Sequence, residues 1–210
     1  MRKAYSAMKY VCIAALVISM IALVAVVAYV LINGVDKLSL NLVFGEYTDS
    51  APTVFPALVG TLQLVFIAAI IAVPIGVASA IFLVEYTNNK GKFVKIVQVA
   101  TETLAGIPSI VYGLFGYLIF VVAFGWGYSM LGGGITLAIM ILPTIVRSTQ
   151  ESLLSVQGGL REGAYALGTS KVRTIFKIVL PSAAGGIVTA IILAIGRVVS
   201  ESAVLLLTIN

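Results

Sequence analysis

The chain has 210 residues, 60% of them hydrophobic and 10% charged, with a net charge of +5 and a mean hydropathy of +1.14. A soluble domain carries about 25% charged residues, so this composition excludes one and identifies an integral membrane protein. One cysteine, Cys12, and no histidine exclude a disulfide framework, Cys/His metal centres and histidine-based catalysis.

Residues 1–9 carry Arg2, Lys3 and Lys9 and lead into an unbroken apolar run over 10–32. As a helix that run is ~34 Å long, enough to span the bilayer, and it exceeds the apolar core of about 7–15 residues found in a cleavable signal peptide. Residues 33–56, with Asp36, Lys37, Glu46 and Asp49 and with Pro52 and Pro56 at the end, read as an outside loop. A second span covers 57–84 and contains Pro74 and Gly76; Lys90, Lys92 and Lys95 follow it. The third span runs from 96 to about 124, and Pro108 among Gly106, Gly113 and Gly116 predicts a bent or interrupted helix. A glycine-rich turn at 125–134 precedes a fourth span over 135–146 with Pro143, and Arg147 marks its exit. A fifth span covers 183–209.

Between the fourth and fifth spans lies one polar helical stretch, residues 158–181 (GGLREGAYALGTSKVRTIFKIVLP). Residues 160–167 suit a short helix, and Gly168 supplies the residue that takes positive φ to end it. Thr169 or Ser170 then caps a second helix, in which Val172, Ile175 and Phe176 alternate with Lys171, Arg173 and Lys177 until Leu180 and Pro181 break the pattern. The expected shape is two short helices meeting at a glycine elbow. Basic residues interleaved with apolar ones also suit an amphipathic helix resting on lipid headgroups.

The order Glu162, Gly163, Ala164, then Gly168, nine residues, then Ile178, Leu180 and Pro181 resembles the EAA loop of binding-protein-dependent ABC importer permeases, with Gly163 where alanine is usual. In that family the loop docks into a cleft of the ATP-hydrolysing subunit, so the resemblance implies that these seven residues couple the chain to a separate ATPase. Residues 56–86, then AGIPSIVYGLFG, ILPTIVRSTQESLLSV and IGRVVSESAVLLLT resemble the permeases of the phosphate-specific (Pst) importer, closer to its PstA subunit than to PstC. The resemblance implies an all-α polytopic MetI-like fold of a type I importer with six spans, of which five are present, so a last helix is expected to be missing. It divides the chain into 1–55, a first span and outside loop, and 56–210, a permease core bearing the loop 158–181. It also implies an ATP-binding PstB-like subunit, a second PstC-like permease, an extracellular PstS-like phosphate-binding protein, phosphate as substrate and the plasma membrane of a bacterium or archaeon.

Eleven of the thirteen basic residues lie in residues 1–9, 90–95 and 147–177, against Lys37 alone in the outside loop and Arg197 within the fifth span. The positive-inside rule puts the N-terminus and the elbow in the cytoplasm. The excess charge is therefore a topology signal and no nucleic-acid partner is expected.

A central charge in a membrane helix costs ~2.5–3.5 kcal/mol and normally faces protein or a polar path. Helical spacing puts Gly186, Ala190, Ala194, Arg197 and Glu201 on one inward face, where small residues allow close helix contact. The matching arginine and glutamate of the phosphate family are associated with the translocation path, which the resemblance implies for Arg197 and Glu201. The competing reading is a buried Arg/Glu pair that only pins helices. Glu102, ~9 Å into the third span, is read as structural, reaching the interface or pairing with Arg147.

Enzyme readings fail on the residues. Gly163 and Gly168 have P-loop spacing, but Thr169 and Ser170 stand where lysine and Ser/Thr are required, and Asp36 and Asp49 lie outside the membrane where a paired-aspartate protease needs both within it. No catalytic residue, metal site or cofactor is expected. The alternatives are a permease for another oxyanion such as molybdate or sulfate, an ion-coupled carrier using Glu102, Arg197 and Glu201, and a scaffold without transport. The topology has a direct test in a Cys12→Ser background. An impermeant thiol reagent applied to intact cells should label Ser39→Cys and spare Thr169→Cys; the reverse pattern would invert the orientation.

Overall fold

The computed structural model describes residues 2–35, 39–45, 53–87 and 91–209, all helix and connections with no strand among them. The expectations for Asp36, Lys37, Glu46, Asp49, Pro52, Lys90 and the end at Asn210 fall outside the described residues. The chain divides into two compact units, Met1–Leu58 and Val59–Asn210.

In the first unit, α1 (Arg2–Gly34) is the long first span. Over residues 10–32 it is apolar on every side of the helix, as suits a lipid surround. A short α2 (Leu40–Phe44) begins where the Ser39 hydroxyl accepts the Leu42 N–H at 3.1 Å, and Phe44 lies 6.2 Å from Phe55.

The second unit is built around α6 (Met130–Leu154). Before it come α3 (Val54–Ile81), continued by a π turn over Phe82–Tyr86; α4 (Lys92–Ala105); and α5 (Ser109–Gly116), continued by a π turn over Tyr117–Ala123. After it come α7 (Gly158–Ala166), α8 (Lys171–Thr174) with a π turn over Ile175–Val179, α9 (Leu180–Val199) and α10 (Ala203–Thr208). Leu137, Ala138, Met140, Ile141 and Ile145 of α6 form the core with Leu64, Ala68 and Ala72 of α3, Tyr112 of α5, Ala194 and Val198 of α9 and Val204 of α10. Four helices are long and apolar enough to cross a membrane among the described residues, and α4 with the helix from Ser109 to Ala123 reaches that length and hydropathy only as a bent pair.

Three boundaries differ from the expectations. The expected turn at 125–134 ends at Ser129, whose hydroxyl caps α6 by accepting the Gly132 N–H at 3.2 Å. Gly132, Gly133 and Gly134 are helical because α6 needs their smallness: a Cβ on Gly134 would sit 2.9 Å from Ile67 Cβ, and one on Gly133 2.7 Å from Ile209 Cδ1. The helix also continues through Pro181, since the π turn just before it loosens the turn that would otherwise meet the proline ring, and Lys171–Val199 is one continuous helix long and apolar enough to cross a membrane. The expected fifth span over 183–209 is instead broken at Ser200–Ser202 into α9 and α10.

The interruption expected in the third apolar run is present. α4 and α5 meet at 95° across Gly106–Pro108. Pro108 cannot donate a backbone hydrogen bond and disfavours helix in the residue before it. Two bonds secure the bend: the Gly106 N–H donates to Glu102 O at 3.2 Å, and the Tyr112 hydroxyl donates across the bend to Leu104 O at 2.9 Å. Pro74 and Pro143, by contrast, sit inside unbroken helices.

Close approach of α5 to α6 makes a prediction about stability. A Cβ on Gly116 would lie 2.7 Å from Thr136 Cγ2, whereas one on Gly185 meets nothing within 4 Å. Gly116→Ala should cost about 1–3 kcal/mol through overpacking and lower the melting temperature of the subunit in detergent. Gly185→Ala should leave it unchanged or slightly raised, because alanine is the better helix former.

Candidate functional site

Two groups of residues carry the functional expectations, the elbow at one end of α6 and Arg197 beside its middle. At the elbow, α7 stops where Gly168 adopts φ +76°. That is the left-handed region that a residue with a Cβ enters at a cost. The Thr169 N–H then donates to Ala164 O at 3.2 Å, the Thr169 hydroxyl donates to the same oxygen at 2.6 Å, and it lies 3.0 Å from the Thr174 hydroxyl. The elbow is thus closed by its own backbone and two threonines. Ser170 occupies the cap position of α8 without a side-chain cap bond.

The predicted coupling residues divide by burial. Glu162, Gly163, Gly168 and Pro181 are exposed, Ile178 and Leu180 are half-buried, and Ala164 is buried beneath the turn. A Cβ on Gly163 would meet nothing within 4 Å, so glycine in place of alanine leaves no gap inside the subunit. Leu160, Tyr165, Leu167, Val172 and Phe176 are exposed alongside, Leu167 to 86%. The elbow therefore presents apolar side chains interleaved with exposed Glu162, Lys171, Arg173 and Lys177, while its underside packs through Ala164, Thr174, Ile175 and Val179.

Arg197 is half-buried near the end of α9, and its Nη1 donates to the Thr144 hydroxyl of α6 at 3.5 Å. Glu201 is not its partner. The break after Val199 takes Glu201 off the helical face, and its Oε1 accepts the backbone N–H groups of Ala203 and Val204 at 2.9 and 3.2 Å, satisfying the first free donors of α10. The sequence carried a signal for this: Ser200, Glu201 and Ser202 form the polar cluster expected at a helix start. Among the described residues Arg197 has no carboxylate within ion-pair distance.

Two ion pairs do form across helices. Arg147 binds Glu102 and Glu151, both at 3.2 Å, so the expected partner of Glu102 is found; these side chains are more than half exposed. Arg161 binds Glu85 at 2.9 Å with both side chains largely buried. No local spacing points to this pair, since 76 positions separate Arg161 from Glu85. No group of acidic or cysteine residues suited to a metal occurs among the described residues.

The family described as binding-protein-dependent transport system inner membrane component matches residues 72–210. The chain is 38% identical over 188 residues to a Bacillus subtilis (strain 168) protein named "Probable ABC transporter permease protein YqgI", covering 89% of this chain and 64% of that one. It is 40% identical over 162 residues to the phosphate transport system permease protein PstA of Mycobacterium leprae (strain TN), covering 77% and 53%, and 39% identical over 180 residues to PstA of Yersinia pestis, covering 84% and 60%. The chain thus spans about half to two thirds of the length of these relatives. A chain of the MetNI methionine ABC transporter, solved in inward facing conformations, superposes with a TM-score of 0.57 at 22% identity over 70% of this chain and 68% of that one, a likeness of fold.

The missing Arg197–Glu201 pair has a measurable consequence. Removing one member of a buried pair costs about 3–5 kcal/mol, but Arg197→Ala leaves Glu201 with both of its backbone partners. The variant should accumulate in membranes at the parental level. A strong loss of subunit would restore the view that the two charges pin each other.

Proposed function

The chain belongs to the binding-protein-dependent transport system inner membrane component family, and from that premise we propose that it is a transmembrane subunit of an ATP-driven phosphate importer. It forms half of the translocation pathway. A second permease forms the other half, an external binding protein delivers phosphate, and a separate ATP-binding subunit drives the cycle. The N-terminus and the elbow 158–181 lie on the cytoplasmic side, and residues 56–210 make up the permease core. The observation that carries this reading is the elbow itself: a glycine-locked turn that buries Ala164 and exposes Glu162, Tyr165 and Leu167 has the form of a docking surface for another protein. A headgroup-resting helix needs no such turn.

Phosphate as the substrate rests on the relatives named PstA and on Arg197. An anion crossing the membrane needs a positive group whose charge is not already cancelled. Arg197, holding only a threonine hydroxyl among the described residues, is such a group.

Co-expression with the ATPase, the second permease and the binding protein, followed by reconstitution into vesicles, gives the test. ATP-driven uptake of labelled phosphate should be competed by unlabelled phosphate and not by equal sulfate or molybdate; the opposite pattern would move the chain to another oxyanion. Arg197→Gln should assemble normally and take up phosphate at the background level. Gly168→Val should insert normally yet separate ATP hydrolysis from uptake, because a β-branched residue is poorly tolerated at positive φ.

A further inference from the structure

Arg161 stands directly before Glu162 and points away from the exposed face of the elbow. Its guanidinium makes four hydrogen bonds. Nε and Nη2 donate to Glu85 Oε1 at 3.1 and 2.9 Å, Nη2 also donates to Leu153 O at 2.8 Å, and Nη1 donates to Val156 O at 2.9 Å. Leu153 lies in the last turn of α6, where backbone acceptors lack helical partners and a cation is favoured, and Val156 lies in the connection two residues past the helix. Glu85 belongs to the π turn that ends α3. One side chain on α7 therefore holds the ends of two membrane helices at once.

The other half of the elbow is tied to the neighbouring residue. Lys171 of α8 places its Nζ 4.8 Å from the centre of the Tyr86 ring. Both elbow helices are thus fastened to Glu85–Tyr86. Burial sets this joint apart from the Arg147 pairs: the Arg161 and Glu85 side chains are 19% and 6% exposed, against 54% and 58% for Arg147 and Glu102. An exposed pair is worth little. A buried one gains less stability than apolar residues in its place would, and its best attested use is to fix a register. Here four directed bonds from one planar group fix the angle between α7 and the ends of α3 and α6.

We propose that Arg161 and Glu85 are positioning residues that make the elbow and the ends of α3 and α6 one rigid piece. A displacement imposed on the elbow by a docked partner then moves these two helices and is not absorbed in the loop. α6 passes it on, since it also carries Thr144, the contact of Arg197. The inference rests on the docking reading of the elbow.

The test replaces the noncovalent joint with a covalent one. In the reconstituted importer with Cys12→Ser, the double variant Glu85→Cys, Arg161→Cys should assemble and hydrolyse ATP. Its phosphate uptake per ATP should fall roughly tenfold, within the usual range of coupling between sites. A short bis-maleimide link between the two cysteines should return uptake per ATP to near the parental value. Normal coupling without the link, or no recovery with it, overturns the proposal. A joint that must open in each cycle would give the second result. Should the double variant fail to assemble, Arg161→Lys, which keeps the charge but not the fork, should show the same fall in uptake per ATP at a parental level of complex. A parental complex with no ATP-driven phosphate uptake would sink the functional reading and not the joint. The joint is then read by hydrogen exchange: Arg161→Ala should raise exchange at amides 158–166 and 82–86 together, and an unchanged 82–86 overturns it.

Discussion

Lipid tails are as apolar as leucine, so in a bilayer helices are held together by closeness of contact and by polar links, with little help from the hydrophobic effect. The core unit meets that constraint by crowding its neighbours onto α6 through residues with almost no side chain. Gly76 of α3 sits against Ile145, Gly134 of α6 against Ile67, Gly116 of α5 against Thr136, and Gly186 of α9 against Ser152. At each point a methyl group would overlap the neighbour or force it to shift. The result is a central helix buried along most of its length, from which the positions of Thr144 and of the Leu153 and Val156 carbonyls follow.

Around this close-packed centre the other helices are interrupted at places that matter. α4 and α5 turn through 95° at Pro108, α9 and α10 separate at Ser200–Ser202, and α3 and α8 run into π turns beside the elbow. Such breaks free backbone groups, which membrane proteins must satisfy internally. Tyr112 serves the Leu104 carbonyl, Glu201 serves the N–H groups of Ala203 and Val204, and Arg161 serves the carbonyls of Leu153 and Val156. Side chains that look like spare polar groups in a membrane sequence are thus occupied at helix ends, which reassigns Glu201 from an ion pair to a cap.

The charges that remain fall into distinct environments. Arg147 with its two carboxylates is a surface arrangement, Arg161 with Glu85 is a buried joint, and Arg197 reaches a threonine hydroxyl in half-buried surroundings. Among the described residues no carboxylate cancels the charge of Arg197, which lies on the core face of α9, where the proposed path needs a positive group. Its neighbourhood is built by α6 and α9, the closely packed pair that also ends at the elbow.

What the sequence determined by itself are the properties a segment has alone. Hydropathy over 10–32 and 57–84, the proline and glycines around 105–116 and the glycine at 168 identified spans, an interrupted helix and an elbow, because apolar length, proline sterics and positive φ are local matters. The order of residues in 158–181 was enough to place the chain among the importer permeases. The tertiary structure alone decided which polar groups meet. Nothing local marks Glu85 as the partner of Arg161, and an ideal helix through 183–209 puts Arg197 and Glu201 on one face when a three-residue break parts them. The reason is physical: periodicity assumes that the helix continues, and a guanidinium finds its acceptors wherever the crossing of helices leaves carboxylates and free carbonyls within reach.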